Sequence, residues 1–342
     1  MIRDEGVAAY FKDPVIEDIL DAANEALSPL EERLTAGFDG PKHPVILVMG
    51  PPRSGTTLLL QLLIACFRVG YVNNLTARFW RAPYMGALIA RDLGRRRSLS
   101  DPDFTSELGA TSGYEGPHEF GFFWQRWFPS EDTHQTPPEL LASRDFGVLR
   151  REIAALEAAF GAPIVFKNPI VFNLHIEALA EALPTSLFIV CKRSPIYIAQ
   201  SLLQSRVKRY GNRESWLGVK PKEYLWLKEL SPIEQVAGQV YYTEERIQQG
   251  LSGLPPDRYL SIEYGSLCQE PMREVSRIAD AVKKRNASLE ETGYRPSQGF
   301  ASANRKRIGD AEWQEMQVAL ERFYKGDGPD RQADTNRLGP EV

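Results

Sequence analysis

Apolar strand signals alternating with helical patterns predict an α/β fold built on a parallel sheet. Short apolar runs suited to strands fall at 45–49, 163–167, 187–191 and 258–262. Helix-period patterns lie between them at 57–67, 146–160, 173–183, 195–209 and 231–250. The first three strands also run into cations: Arg53 in the loop after the first, Lys167 at the second, and Lys192 with Arg193 at the third. The carboxyl ends of strands form the ligand crevice in open parallel sheets, so element order and charge point to the same end of one sheet.

Taken in order, the first element is a helix over 15–36, with Val15, Ile19, Leu20, Ala23, Leu27, Leu30 and Leu34 at helical spacing. It packs either on the sheet or on a partner. The strand 45–49 then runs into Gly50-Pro51-Pro52-Arg53-Ser54-Gly55-Thr56-Thr57, and a buried helix follows from Leu58. Gly50 and Gly55 have the spacing of a Walker A loop, in which backbone N–H groups and a helix N-terminus meet oxyanions. The Lys that such a loop carries after its second Gly is Thr56 here, which disfavours ATP cleavage. What remains is a cation at Arg53 with hydroxyls at Thr56 and Thr57, suited to an anion bound without the Lys and Mg²⁺ of an NTPase.

Residues 70–145 form a crossover far longer than the connection needs, rich in Trp, Phe, Arg and Pro, and such insertions are usually functional. Within it, Tyr114 to Phe128 is dense in aromatic residues and embeds Glu115, His118 and Glu119. Burial beside aromatic surface would raise a carboxylate pKa toward neutrality, the property wanted in a base that takes a proton from a hydroxyl. Glu119 is the first candidate for that base and His118 the second, although aromatic runs also build cores and a His after Pro also caps helices. His175, in the helix after Lys167, is a third candidate. Trp80, Tyr84, Phe120, Phe123, Trp124, Arg126 and Trp127 would suit a sugar, a phenol or an amphipathic natural product equally as acceptor. A last helix over 311–325 precedes residues 326–342, which are rich in Gly, Asp and Pro and predict a disordered tail.

Composition excludes other classes. A chain of 342 residues that is 43% hydrophobic can bury a large core, here a single domain over 1–325. A formal charge of −4 argues against a nucleic-acid surface and favours a small anionic ligand at the local cations. Cys66, Cys191 and Cys268 lack metal spacing and read as reduced, packed thiols, which suggests a cytoplasmic location. The N-terminus has no apolar signal region, and the run near Leu58–Phe67 is too short to span a membrane.

The run Pro52 to Thr57 resembles the 5′-phosphosulfate loop of sulfotransferases that use 3′-phosphoadenosine 5′-phosphosulfate (PAPS). Arg193, with Pro195 two residues on and Ser201 eight on, resembles the 3′-phosphate segment of that family. Pro195 would start a helix where its missing N–H costs nothing, and Ser201 would lie two turns along it. The family's Asp two residues after the Pro is Tyr197 here. Lys167-Asn168-Pro169 resembles the Lys-x-Pro segment of bacterial and Golgi-type members, with Lys167 facing the sulfuryl group. The catalytic His of cytosolic-type members would fall at Pro169, so the base must come from elsewhere.

The resemblance implies a P-loop-like three-layer α/β fold, a central parallel sheet flanked by helices, with the long insertion on the acceptor side. It implies metal-independent, in-line sulfuryl transfer from PAPS to a hydroxyl or amine of a small-molecule or glycan acceptor. Arg53, Ser54, Gly55, Thr56 and Thr57 would bind the 5′ end, Arg193 and Ser201 the 3′-phosphate, and Arg53 with Lys167 would stabilise the leaving oxygen. Arg305 and Lys306 lie in a segment that faintly resembles the family's 3′-phosphate clasp, or form a solvated basic turn before the last helix. A homodimer is left open. An ATP-dependent phosphotransferase and an inactive nucleotide-binding scaffold are the alternatives, and Glu263, placed as a Walker B acid would be, does not rescue the first.

Overall fold

The chain is described by a computed structural model over residues 13–94, 102 and 104–326. The N-terminal residues 1–12 and all of the expected tail beyond Gly326 lie outside the described residues. In chain order the elements are α1 (Pro14–Thr35), β1 (Ile46–Met49), α2 (Thr56–Cys66), β2 (Phe67–Arg68), β3 (Gly70–Tyr71), α3 (Pro83–Gly94), α4 (Gly121–Trp127), α5 (Pro138–Ala142) and α6 (Phe146–Phe160). Next come β4 (Ile164–Lys167), α7 (Val171–Leu174), α8 (Ile176–Ala182), β5 (Leu187–Lys192), α9 (Pro195–Tyr210), α10 (Tyr224–Leu227) and α11 (Pro232–Ser252). The series ends with β6 (Tyr259–Glu263), α12 (Tyr264–Gln269), α13 (Pro271–Lys283), β7 (Glu290–Glu291) and α14 (Asp310–Lys325).

Five strands form one parallel sheet in the order β3-β4-β1-β5-β6. β1 is central, and Val45 to Met49 are fully buried, which is why this strand reads as an unbroken apolar run. Its side chains alternate between faces. Leu47 and Met49 join one core cluster with Trp124, Phe166 and Phe172, whereas Ile46 and Val48 join another with Leu59, Leu62 and Val275. Helices therefore cover both faces, in a P-loop-like α/β arrangement. A third cluster binds α9, α11 and α14 through Leu202, Val236 and Phe323.

Four of the five sheet strands are those expected from sequence. The fifth, β3, is two residues long and pairs Gly70 with Ile164. A Cβ on Gly70 would lie 2.8 Å from the Phe160 ring, so the strand needs glycine to approach α6. The helix expected over 173–183 is two helices, α7 and α8, broken at His175 where φ is −130°.

The attachment of α1 is the reverse of what its apolar stripe suggests. Val15, Ile16 and Ile19 are exposed, while Asn24, Glu31 and Thr35 are buried. Asn24 donates to Arg78 O at 2.8 Å and accepts from Arg81 N at 2.8 Å. Glu31 accepts from Tyr84 N at 2.6 Å and Met85 N at 3.3 Å, in the first turn of α3. Burial pushes its carboxyl up to about 7, with those two hydrogen bonds opposing. Polar clamps on backbone groups of the crossover, more than its apolar stripe, dock this helix.

Candidate active site

The loop between β1 and α2 is shaped by three left-handed residues, Gly50 (φ 138°), Arg53 (φ 73°) and Gly55 (φ 102°). A Cβ at Gly50 would lie 2.4 Å from Cys191 O, and one at Gly55 would lie 2.6 Å from the Tyr264 ring, so each position admits only glycine. Asn173 holds the loop entrance from both sides: Gly50 N donates to its Oδ1 at 3.0 Å and its Nδ2 donates to Gly50 O at 2.8 Å. Gly55 caps α2, whose first N–H groups have no intrahelical partner and are available to an oxyanion. Ser54 Oγ is buried in the same loop without a hydrogen-bond partner.

A cleft opens over this loop at the carboxyl ends of β1, β4 and β5. Arg53, Gly55, Thr56, Thr57, Glu119, Lys167, Arg193 and Ser201 all line it, so eight residues proposed from sequence meet in one place. Lys167 is nearly buried. Its Nζ lies 2.6 Å from Glu119 Oε1, donates to Thr57 Oγ1 at 2.8 Å, and reaches Gly109 O at 3.4 Å. Gly109 sits over this cluster, where a Cβ would be 3.8 Å from the Glu119, Lys167 and Thr57 polar atoms alike. Asn168 completes the arrangement: its Nδ2 donates to Glu119 O at 3.1 Å while its Oδ1 accepts from Ile170 and Val171 N.

Across the cleft, Arg193 donates to Arg53 O at 2.7 Å, Ala303 O at 3.0 Å and Asn304 Oδ1 at 2.7 Å, and its guanidinium lies 4.6 Å from the Tyr264 ring centre. Arg53 Nε donates to Ser201 Oγ at 3.1 Å. Of the four non-glycine residues with positive φ among the described residues, Arg53, Leu108 and Phe120 lie in the site or next to Glu119. Strained backbone of this kind concentrates at functional sites.

A second cavity adjoins the first and shares Leu108, Gly109 and Glu119 with it. Its remaining wall includes Thr111, Pro117, His118, Phe122 and Gln125. Glu119 therefore stands where the two meet.

Several expectations need correction. Phe120, Phe123, Trp124, Trp127 and Trp80, proposed as acceptor surface, are core residues. Trp124 packs edge-on against Phe166 at 5.2 Å and Phe172 at 4.9 Å, because α4 buries that face beneath the end of β4. Tyr84 packs on Phe38 and Arg126 pairs with Glu152 at 3.0 Å, so neither faces the cleft. Phe122, not singled out from sequence, is the exposed aromatic of α4. Glu119 is not enclosed by the aromatic cluster: its side chain is 38% exposed and its close partner is a cation.

His118 is exposed on the second cavity, and its Nδ1 accepts from Phe120 N at 2.9 Å at the start of α4. His175 is buried away from the cleft. Its Nε2 accepts from Thr136 N at 3.0 Å and Nδ1 donates to Val171 O at 3.0 Å, and burial lowers its pKa to about 4. Neither Arg305 nor Lys306 lines the cleft; Lys306 pairs with Asp310, and the residue of that segment that reaches the cleft is Arg307. Arg307 N donates to Gln200 Oε1 at 2.6 Å, and Gln200 Nε2 donates to Arg305 O at 3.0 Å, so α9 fastens the segment.

Sequence reasoning missed Gly109, Asn173, Gln200 and Tyr264. Tyr264 alone had a local signal, since it follows Glu263 at a strand end. All three cysteines are buried and unpaired by disulfides, as expected. Among the described residues no helix is long and apolar enough to cross a membrane, and no group of three or more His, Cys, Asp or Glu residues gathers as a metal set would.

A sequence profile described as the sulfotransferase family matches residues 44–284. No curated protein sequence matches the chain significantly. Among solved structures, sulfotransferase STF9 from Mycobacterium avium is 17% identical, with a TM-score of 0.49 over 87% of this chain and 71% of that one. Sulfotransferase STF1 from Mycobacterium tuberculosis H37Rv is 15% identical, with a TM-score of 0.49 over 89% and 81%. The sulfotransferase domain of the curacin biosynthetic pathway is 16% identical, with a TM-score of 0.39 over 82% and 98%.

Proposed function

The chain belongs to the sulfotransferase family, and from that premise we propose that it moves a sulfuryl group from PAPS directly to an acceptor hydroxyl or amine. The observation that carries this reading is the chain of contacts Glu119–Lys167–Thr57 at the junction of two cavities, one over the oxyanion loop and one open to an acceptor. The residues suit the donor. Ser54 Oγ is an orphaned buried hydroxyl inside the loop, the first N–H groups of α2 are available to an anion, and Arg53, Arg193 and Arg307 gather with no carboxylate paired to Arg193 among the described residues.

In this scheme the loop N–H groups with Thr56 and Thr57 bind the 5′-phosphosulfate, while Arg193 and Ser201 take the 3′-phosphate, with Arg307 beside them. Glu119 accepts the proton of the acceptor as its oxygen or nitrogen bonds to sulfur. The bond from sulfur to the bridging oxygen breaks, and Lys167 with Arg53 stabilises the charge left on that oxygen, now part of 3′-phosphoadenosine 5′-phosphate. Donor and acceptor are held on opposite sides of one carboxylate-ammonium pair, which replaces a chance encounter by a fixed approach.

A thermal-shift panel tests the reading. A ligand at a hundred times its Kd adds about 2.7 kcal/mol of stability, so 3′-phosphoadenosine 5′-phosphate should raise Tm by several degrees and ATP with Mg²⁺ should not. Stabilisation by ATP with Mg²⁺ instead would favour a phosphotransferase. Stabilisation by the bisphosphate without sulfate transfer from PAPS onto any fraction of a cell extract would favour an inactive scaffold.

A further inference from the structure

The cavity on the acceptor side of Glu119 does not end at α4. Gly121, Phe122 and Gln125 present one face of that helix to it, and Gln125 also lines a third cavity walled by Arg81, Arg126, Trp127 and Arg144. The charges of these arginines are met unequally. Arg126 is committed: it pairs with Glu152 at 3.0 Å, donates to Trp80 O at 2.7 Å, and stacks 5.5 Å above the Trp127 ring. Arg81 and Arg144 have no carboxylate partner among the described residues, and Arg144 Nε is buried without any hydrogen-bond partner. Glu152 is already engaged by Arg126. A guanidinium N–H sequestered from water without an acceptor is costly, and an oxyanion is the ligand that relieves it.

Resting on the assignment of the Glu119 cavity to the acceptor, we propose that Arg81 and Arg144 form an anion subsite for the acceptor's far end. The acceptor class is then an amphipathic alcohol: a hydroxyl beside Glu119, an apolar body along Leu108, Pro117 and Phe122, and a carboxylate or phosphate beyond Gln125. An uncharged sugar would leave the buried Arg144 Nε unanswered and meet a largely apolar wall between it and Glu119. Gln125, between the two cavities, is neutral and offers no charge to stop an acidic headgroup short of the arginines.

Calorimetry with a homologous series of ω-hydroxyalkanoates, each against the alkanol of equal length, tests this on the intact protein. One chain length should bind roughly tenfold or more tightly than its alkanol, the least expected from a charge-assisted contact. The double variant Arg81→Gln/Arg144→Gln should erase that preference while leaving alkanol and 3′-phosphoadenosine 5′-phosphate binding unchanged, and Arg81→Lys/Arg144→Lys should restore part of it. An ω-hydroxyalkyl phosphate of the preferred length separates a phosphate headgroup from a carboxylate by its relative affinity. Equal binding of acid and alcohol at every length, or a preference that survives the double glutamine variant, would overturn the subsite. Because the readout is binding, failure of transfer from PAPS would count against the donor reading alone.

Discussion

Lys167 at the end of β4 and Arg193 just beyond β5 face the same cleft from adjacent positions around β1, both nearly buried, yet their charges are met in opposite ways. Lys167 has a carboxylate at 2.6 Å, a hydroxyl at 2.8 Å and a carbonyl at 3.4 Å. Among the described residues Arg193 meets neutral oxygens and aromatic faces, and the cations Arg53 and Arg307 stand around it. Burial first, and repulsion by Arg53 and Arg307 after it, pull its pKa down. The β4 end is charge-matched without a ligand and suits a neutral nucleophile that gives up a proton. The β5 end keeps its excess positive charge and suits a polyanion. On the proposed reading, two cations at equivalent strand ends divide acceptor chemistry from donor binding.

Removing the matching charge should produce the largest effect. Glu119→Gln keeps the shape of the β4 end and removes its basicity, so turnover should fall by about 10²–10⁴ with nucleotide affinity nearly unchanged. Steady-state transfer of labelled sulfate measures it. Full activity in this variant, with loss in His118→Asn, would move the base one residue back and break the pairing of roles proposed for Glu119 and Lys167.

Arg193→Ala probes the unmatched end. It should weaken 3′-phosphoadenosine 5′-phosphate by roughly 1.5–3 kcal/mol, the range for hydrogen bonds to charged groups, and affect adenosine 5′-phosphosulfate little. Equal losses by calorimetry would mean that Arg193 serves to hold Ala303 and Asn304 and does not read the 3′-phosphate.

The last test concerns stability and not turnover, at His175, which follows β4 closely in sequence but faces the core. Its pKa falls from 6.5 to about 4 on folding, so the unfolded chain binds the extra proton in that window. Stability should be fully present above pH 6.5 and should drop as the pH falls toward 4, by at most about 1.4 kcal/mol per pH unit for this group. Denaturant melts at pH 7 and 5 should show a shallower pH slope in His175→Gln than in the parent. An unchanged slope, with an altered pH profile of transfer, would restore His175 as a base candidate.

That the residues of the proposed donor side meet in one cleft was legible in sequence because the information is local. Gly50, Arg53, Gly55 and the Arg193…Ser201 spacing fix backbone shape and charge within a few residues, and strand ends bring those pieces together without further instruction. The acceptor side was not. Tyr114 to Phe128 reads the same whether its rings line a cavity or fill a core, and only the docking of α4 on Phe166 and Phe172 decides it. Gln200 and Arg307 meet across more than a hundred residues, and Asn173 reaches Gly50 over a comparable span, so nothing near either position announces the contact. Glu119 and Lys167 were both named, but for separate reasons; that they form one pair is a tertiary fact.

The turn after β4 and the short helix α7 that follows it tie the two sides of the cleft to one segment of chain. Asn168 grips the backbone of Glu119 and Asn173, five residues on, grips the backbone of Gly50. The backbone of the proposed base and the entrance of the oxyanion loop are thus mounted on one short bracket and registered to each other within the protein itself. On the proposed reading, variation in the crossover would reshape what is sulfated, while the approach of the two groups stays fixed by the short segment from Asn168 to Asn173.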